Sequence, residues 1–193
     1  MKLLILAASL AALGACKKSG DVAQPTQPTP TAEAPAPTEG APAQGRTATA
    51  TLAPTQGSQT TGTVTFREID GGVEITASLA GLSPGEHGFH VHEKGDCSAP
   101  DASSAGSHYN PTGQPHGAPD AAQHHAGDFG NVTAGADGTA SKTLVMEGVT
   151  LGEGDTSLAG KAVIVHEKRD DLTSQPTGDA GGRLACGVIQ LDP

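Results

Sequence analysis

Just after Gly71-Gly72, Val73, Ile75, Ala77 and Leu79 are apolar while Glu74, Thr76 and Ser78 between them are polar. A period of two puts one set of side chains on a buried face and the other on a wet face, the pattern of a half-buried strand entered through a turn. Comparable runs recur at 47–53, 61–69, 88–92, 140–147, 161–166 and 184–190, separated by segments rich in Gly and Pro. No stretch shows a convincing amphipathic-helix spacing. About seven or eight such strands predict an all-β fold, a Greek-key β-sandwich or flattened eight-stranded barrel. Two long connections, 93–131 and 167–183, break the strand rhythm, and loops of that length in a compact domain usually carry function.

The strand runs occupy 46–193, and the chain before them differs in kind. Met1 and Lys2 precede an apolar stretch of signal-peptide length that ends in Leu13-Gly14-Ala15-Cys16. Residues 1–15 therefore read as a signal peptide. The tetrapeptide resembles a bacterial lipobox, which implies acylation of Cys16 and a lipid anchor to a membrane. Residues 16–45 then form a Pro/Thr/Ala-rich linker too poor in large apolar groups to offset its chain entropy. Proline keeps such a segment extended at roughly 3 Å per residue, the behaviour of a spacer. The expected location is the bacterial cell envelope, facing the periplasm. Lys17 favours the outer over the inner membrane, because Asp is the common inner-membrane retention signal at that position.

Charge narrows the partners. Lys and Arg total 11 against 21 Asp and Glu, a net of −10. Residues 1–45 are neutral overall, so the whole excess falls on the domain. Phosphate backbones repel such a chain, and three Phe, one Tyr and no Trp cannot build a base-stacking platform. Nucleic acid is thus excluded as a partner. With Cys16 assigned to lipid, Cys97 and Cys186 remain, and an even pair in an exported chain predicts a disulfide. It would close about 90 residues, worth ~4–5 kcal/mol in the loop-entropy view. Two thiolate metal ligands are the alternative, less favoured because neither Cys sits in a C-x-x-C spacing.

All the histidines fall in the domain, eight in number. In Gly88-Phe-His-Val-His-Glu93 strand alternation puts His90 and His92 on one face and gives Phe89 and Val91 to the core. His166, at the end of Ala162-Val-Ile-Val-His166, adds a third imidazole from a different strand; an all-imidazole set suits copper or zinc. The loop supplies His108, His116, His125 and Asp128, a three-nitrogen, one-oxygen set of the kind zinc takes in a closed tetrahedral site. His124 reads as an ordinary polar loop residue.

Taken together, Gly88-Phe-His-Val-His-Glu93, Gly106-Ser-His-Tyr-Asn-Pro111, His125-Ala-Gly-Asp128, Val163-Ile-Val-His-Glu-Lys168 and Gly182-Arg-Leu-Ala-Cys-Gly-Val188 resemble the copper-zinc superoxide dismutases, over about 48–190. The resemblance implies dismutation of superoxide to dioxygen and hydrogen peroxide by copper redox cycling. It implies copper on His90, His92, His108 and His166, and zinc on His108, His116, His125 and Asp128, with His108 as the bridge. Asp170 would orient ligands of both metals, His87 would be structural, and a Cys97–Cys186 disulfide would pin the metal loop to the last strand. Arg183, catalytic together with His108, would dock the anionic substrate with its fixed charge and fork of donors.

Two features depart from familiar members. The stretch 171–182 is short and has no Lys or Arg, which leaves Lys94, Lys168 and Arg169 as substitutes for attracting an anion against the net charge. The spacing from His92 to Cys97 and on to His108 resembles bacterial members. A homodimer is compatible with the resemblance, but bacterial and eukaryotic members pair through different surfaces. Two other functions explain some of the residues. A non-catalytic copper- or zinc-binding envelope lipoprotein would use the histidines and leave Arg183 without a task. A structural sandwich holding only zinc would leave three imidazoles unused.

Overall fold

The computed structural model describes residues 45–193. The expected signal peptide, the Cys16 anchor and nearly all of the linker lie outside the described residues. Nine strands follow in chain order: β1 (Thr47–Pro54), β2 (Thr61–Ile69), β3 (Gly72–Ala80), β4 (Gly85–His92), β5 (Asp128–Ala134), β6 (Ala140–Glu147), β7 (Ala162–His166), β8 (Arg183–Val188) and β9 (Gln190–Leu191). One 3-10 turn, Ser103–Ala105, is the sole helical element among the described residues, and no described helix is long and apolar enough to cross a membrane.

Strand order is β5-β4-β7-β8-β1-β2-β3-β6, with β9 added to β1 and every pairing antiparallel. The non-sequential neighbours β3–β6 and β4–β7 are the crossovers of a Greek key. β1 pairs with β2 through Leu52 and with β8 at Ala53 and Pro54, so one strand carries the sheet round its corner. β5 and β6 end the order and nearly close a barrel of eight main strands. Lys142 on β6 donates across that seam to the carbonyls of Phe129 and Asn131 on β5, at 2.7 and 2.8 Å.

The alternation puts Ala48, Ala50, Leu52, Val64, Phe66, Val73, Ile75, Phe89, Val91 and Phe129 inside the barrel, all at most 2% exposed. Phe89 and Phe129 meet edge to face at 5.4 Å between ring centroids. Each fully buried Phe or Ile of this kind contributes ~1.5–3 kcal/mol. A second, smaller cluster of Ala102, Ala105, Ala162, Ile164 and Cys186 lies outside the barrel wall, beneath the segment after Cys97. β7 is therefore buried on both faces, which is why its sequence reads as a continuous apolar run.

One strand differs from the sequence expectation. β5 begins at Asp128, inside what the sequence presents as the long loop 93–131. Gly130, at φ +72°, and Asn131 are weak strand formers that hide the alternation, and pairing with β4 overrides them. The connection from β4 is thus 93–127.

Candidate metal centre

β4, β7 and β8 lie side by side, and their outer face is the floor of the site. His90 and His92 on β4 are in register with Ile164 and Ala162 of β7, and His166 at the end of β7 faces Arg183 at the start of β8. The long loop returns beside β4. Tyr109 donates its N–H to Val91 O, Val91 to Gly127 O and Gly127 to Tyr109 O, and an isolated bridge sets His108 opposite His92. Alternation thus aims the two β4 imidazoles outward as expected, but the loops cover them: His90 and His92 are 0% and 1% exposed.

Two groups of potential ligand atoms result, each with its atoms within 4.8 Å of one another. The first is His90, His92, His108 and His166; the second is His108, His116, His125 and Asp128. All the sequence-predicted ligands come together, and His108 belongs to both groups. Its ring centroid lies 4.0 Å from His90, 5.0 Å from His92, 5.4 Å from His116 and 5.6 Å from His125. His124 joins neither group among the described residues.

Hydrogen bonds choose which nitrogen each ring offers. His90 Nε2 donates to Asp170 Oδ2 at 2.7 Å, His92 Nδ1 to Gly106 O at 2.9 Å and His166 Nδ1 to Gly181 O at 3.3 Å. Their lone pairs are thereby left on His90 Nδ1, His92 Nε2 and His166 Nε2. In the second group the Nδ1 atoms of His108, His116 and His125 converge on one oxygen, Asp128 Oδ1, at 2.9, 3.0 and 3.2 Å. Four atoms on a tetrahedron of ~2.0 Å bonds would stand ~3.3 Å apart. His90 Nδ1, His108 Nε2, His116 Nδ1 and His125 Nδ1 are buried with no hydrogen-bond partner. Such atoms are costly in a folded protein, and a shared cation at each group would satisfy all four. The donor sets thus fit a metal at both positions.

Asp170, fully buried, bonds His90 through Oδ2 and His116 Nε2 through Oδ1 at 3.0 Å, joining the two groups by a second route. Two residues that sequence reasoning missed hold it there. Asn131 pairs with its backbone in both directions, accepting from Asp170 N–H at 2.7 Å and donating to its carbonyl at 2.9 Å. Gly178, at φ +66°, packs so close that an added Cβ would stand 1.8 Å from Asp170 Oδ1. Neither residue type announces such a task, because both become visible only when β5 and the β7–β8 loop meet. His87 fills its expected structural place, donating from Nδ1 to His166 O at 2.9 Å.

Charge divides the two groups. Burial lowers His90 to about 4 despite the hydrogen bond to Asp170. Burial also lowers His92, His108 and His166, with like charge among the neighbouring rings adding to it. Arg183 contributes to the lowering at His92 and His166, so its charge reaches this group. Four neutral imidazoles therefore face one another. His116 differs: burial lowers it, but the carboxylates of Asp128 and Asp170 outweigh burial and raise it to about 9.

The metal-free site accordingly keeps a proton on His116 at neutral pH, and a cation taking Nδ1 must expel it. Zinc affinity should rise about tenfold per pH unit up to about pH 9. The fold without metal behaves oppositely. Stability from this proton is complete below the ordinary histidine value of 6.5 and fades as pH rises through about 9. Calorimetric zinc titrations at pH 7.5 in two buffers of different ionisation heat should show about one proton released from this residue; none released would refute it.

Arg183 sits at the edge of the first group. Its Nη1 donates to Ala102 O and its Nη2 to Gly106 O, both at 2.6 Å, and Gly106 O also accepts from His92. Cys97 and Cys186 form the disulfide, bonding the same segment to the same strand.

The copper/zinc superoxide dismutase (SODC) family model matches residues 60–189. The chain belongs to the copper/zinc superoxide dismutase family. A crystal structure of the clock protein EA4 is 40% identical with a TM-score of 0.69, covering 80% of this chain and 99% of that one. Within this dismutase-family fold, the groove of about 760 Å³ beside Lys142, Val145 and Glu147 takes in His124 and none of the clustered ligands. The centre is marked by convergent donor atoms under two loops. Of the three cations considered for attracting an anion, Arg169 is paired with Glu86 at 2.8 Å, while the stem of Lys168 lies along Gly181.

Proposed function

We propose that this protein dismutes superoxide to dioxygen and hydrogen peroxide in the bacterial cell envelope. In this reading residues 1–15 export the chain, Cys16 anchors it to the membrane, 16–45 space it from the surface and 46–193 carry the reaction. The observation that carries the proposal is that one imidazole, His108, belongs to two otherwise separate donor sets, with Arg183 opposite His166. A protein that only stores or transfers metal needs neither. The proposal is therefore carried by the site and not by the fold.

His90, His92, His108 and His166 would hold copper; His108, His116, His125 and Asp128 would hold zinc. When bound, copper supplies one-electron exchange and zinc a fixed positive charge that keeps the shared ring in place. The remaining work belongs to side chains. His92, His90 and His166 are locked by hydrogen bonds on their far nitrogens, so their ligand atoms need no reorganisation. Asp128 holds Nδ1 of His108, leaving Nε2 as the ring atom that can take a proton and hand it to a substrate oxygen. Arg183 is braced by two carbonyls and offers its remaining donors to a small anion.

The deciding experiment is superoxide consumption by the protein loaded with both metals. Rapid consumption is expected with copper present, and none with zinc alone. Both metals bound without consumption would leave a metal-holding lipoprotein instead. Arg183→Ala should slow turnover at least about tenfold with both metals retained, as expected for one charge-assisted contact of ~1.5–3 kcal/mol. Unchanged turnover would remove the docking role.

A further inference from the structure

The stretch 171–178 of the β7–β8 loop does more than cover the site. Asp171 Oδ1 accepts from the N–H groups of Thr173 and Ser174 at 2.9 and 2.8 Å, and Asp171 and Gly178 close the turn through Asp171 N–H to Gly178 O at 2.8 Å. This braced turn presents Gln175 to the other long loop. Gln175 Oε1 accepts from His116 N–H at 2.8 Å, and its Nε2 donates to His116 O at 2.9 Å. The carboxamide thus replaces a strand partner, satisfying both backbone groups of a residue that has no backbone partner among the described residues.

His116 needs such a hold more than the other ligands do. His90, His92 and His166 are on strands, Asp128 begins one, His108 is held by an isolated bridge to His92, and His125 is tied into its own turn by His125 N–H to Asp128 Oδ2 and Asp128 N–H to His125 O. His116 lies in a stretch without strand or helix, yet its ring must reach Asp128 with Nδ1 and Asp170 with Nε2. We infer that Gln175 is a positioning residue for the zinc-type set: it fixes the His116 backbone so that both ring nitrogens stay in register with the two carboxylates. This rests on the second donor set being a metal site. The turn without a Lys or Arg is then a clamp between the two loops. Gln175 is exposed, so water can replace part of its bonding, and loss of the clamp should cost about tenfold in metal affinity, the low end for residues that orient a ligand.

The test is a cobalt(II) titration of the full-length, metal-stripped protein, read by the d–d absorption of the ion, for wild type, Gln175→Ala and Gln175→Glu. Gln175→Ala should bind cobalt about tenfold more weakly with altered band intensities. Gln175→Glu keeps an acceptor for His116 N–H but turns an oxygen toward its carbonyl, and should weaken binding at least as much. Wild-type affinity and bands in Gln175→Ala would overturn the clamp. So would weaker binding with unchanged bands and a lower melting temperature of the metal-free protein, the signature of a general brace. Superoxide consumption by the copper-loaded wild type is followed in parallel. If it is absent while the cobalt results are as expected, the dismutase reading falls and the clamp stands; a wild type that takes up no cobalt overturns both.

Discussion

Replacing Asp128 by alanine should lower zinc affinity by at least ~100-fold and destabilise the metal-free fold by several kcal/mol. Its two oxygens have separate tasks. Oδ1 is the point on which three imidazole Nδ1 atoms converge. Oδ2 accepts from the N–H groups of Gly117 and His125 at 3.1 and 2.8 Å. Structural zinc binding is worth ~10–16 kcal/mol over four ligands, so one ligand accounts for ~2.5–4 kcal/mol, or two to three decades of affinity. Loss of Oδ2 leaves two backbone donors unsatisfied in a fully buried place, at ~1–3 kcal/mol each. Competition with a chromophoric chelator reads the first effect and thermal melting of the metal-free protein the second. Affinity within a few-fold of wild type would remove Asp128 from the site.

The second large effect concerns the disulfide. A Cys97→Ala/Cys186→Ala double variant should lose ~4–5 kcal/mol, because the bond closes a sequence separation of 89 residues in the unfolded chain. For a domain of this size that is roughly 10–20 °C in melting temperature. Alanine suits the position, since Cys186 packs among Ala102, Ala105, Ala162 and Ile164. Under the proposed dismutase function, superoxide consumption should fall as well. The bond ties to β8 the segment whose Ala102 and Gly106 carbonyls hold Arg183, and Gly106 O is also the acceptor for His92. Freeing the segment loosens Arg183 and His92 together. A melt within about 2 °C of wild type would show that the cross-link contributes little.

Much of this was legible in the sequence. Alternation located seven strands closely; β6 and β2 run from the residues expected, and β3 extends one residue beyond them at each end. It missed β5, because Gly130 and Asn131 break the alternation while pairing with β4 imposes the strand. The histidines were legible as a set, since alternation on β4 dictates that His90 and His92 share a face. Their burial was not, because it depends on two loops that contact the strand only after the chain has folded back.

The amino-acid order by itself determined the all-β class, the set of side chains that gather in the two donor groups and the pairing of the two cysteines in the domain. Those follow from local periodicity, side-chain chemistry and a family pattern written along the chain. Only the tertiary structure decided which nitrogen each ring presents, that the loops bury these rings, and that Asn131, Gly178 and Gln175 hold Asp170 and His116. The physical reason is that a hydrogen bond selects a ring nitrogen through a partner 14 to 80 residues away, and no local rule contains that partner.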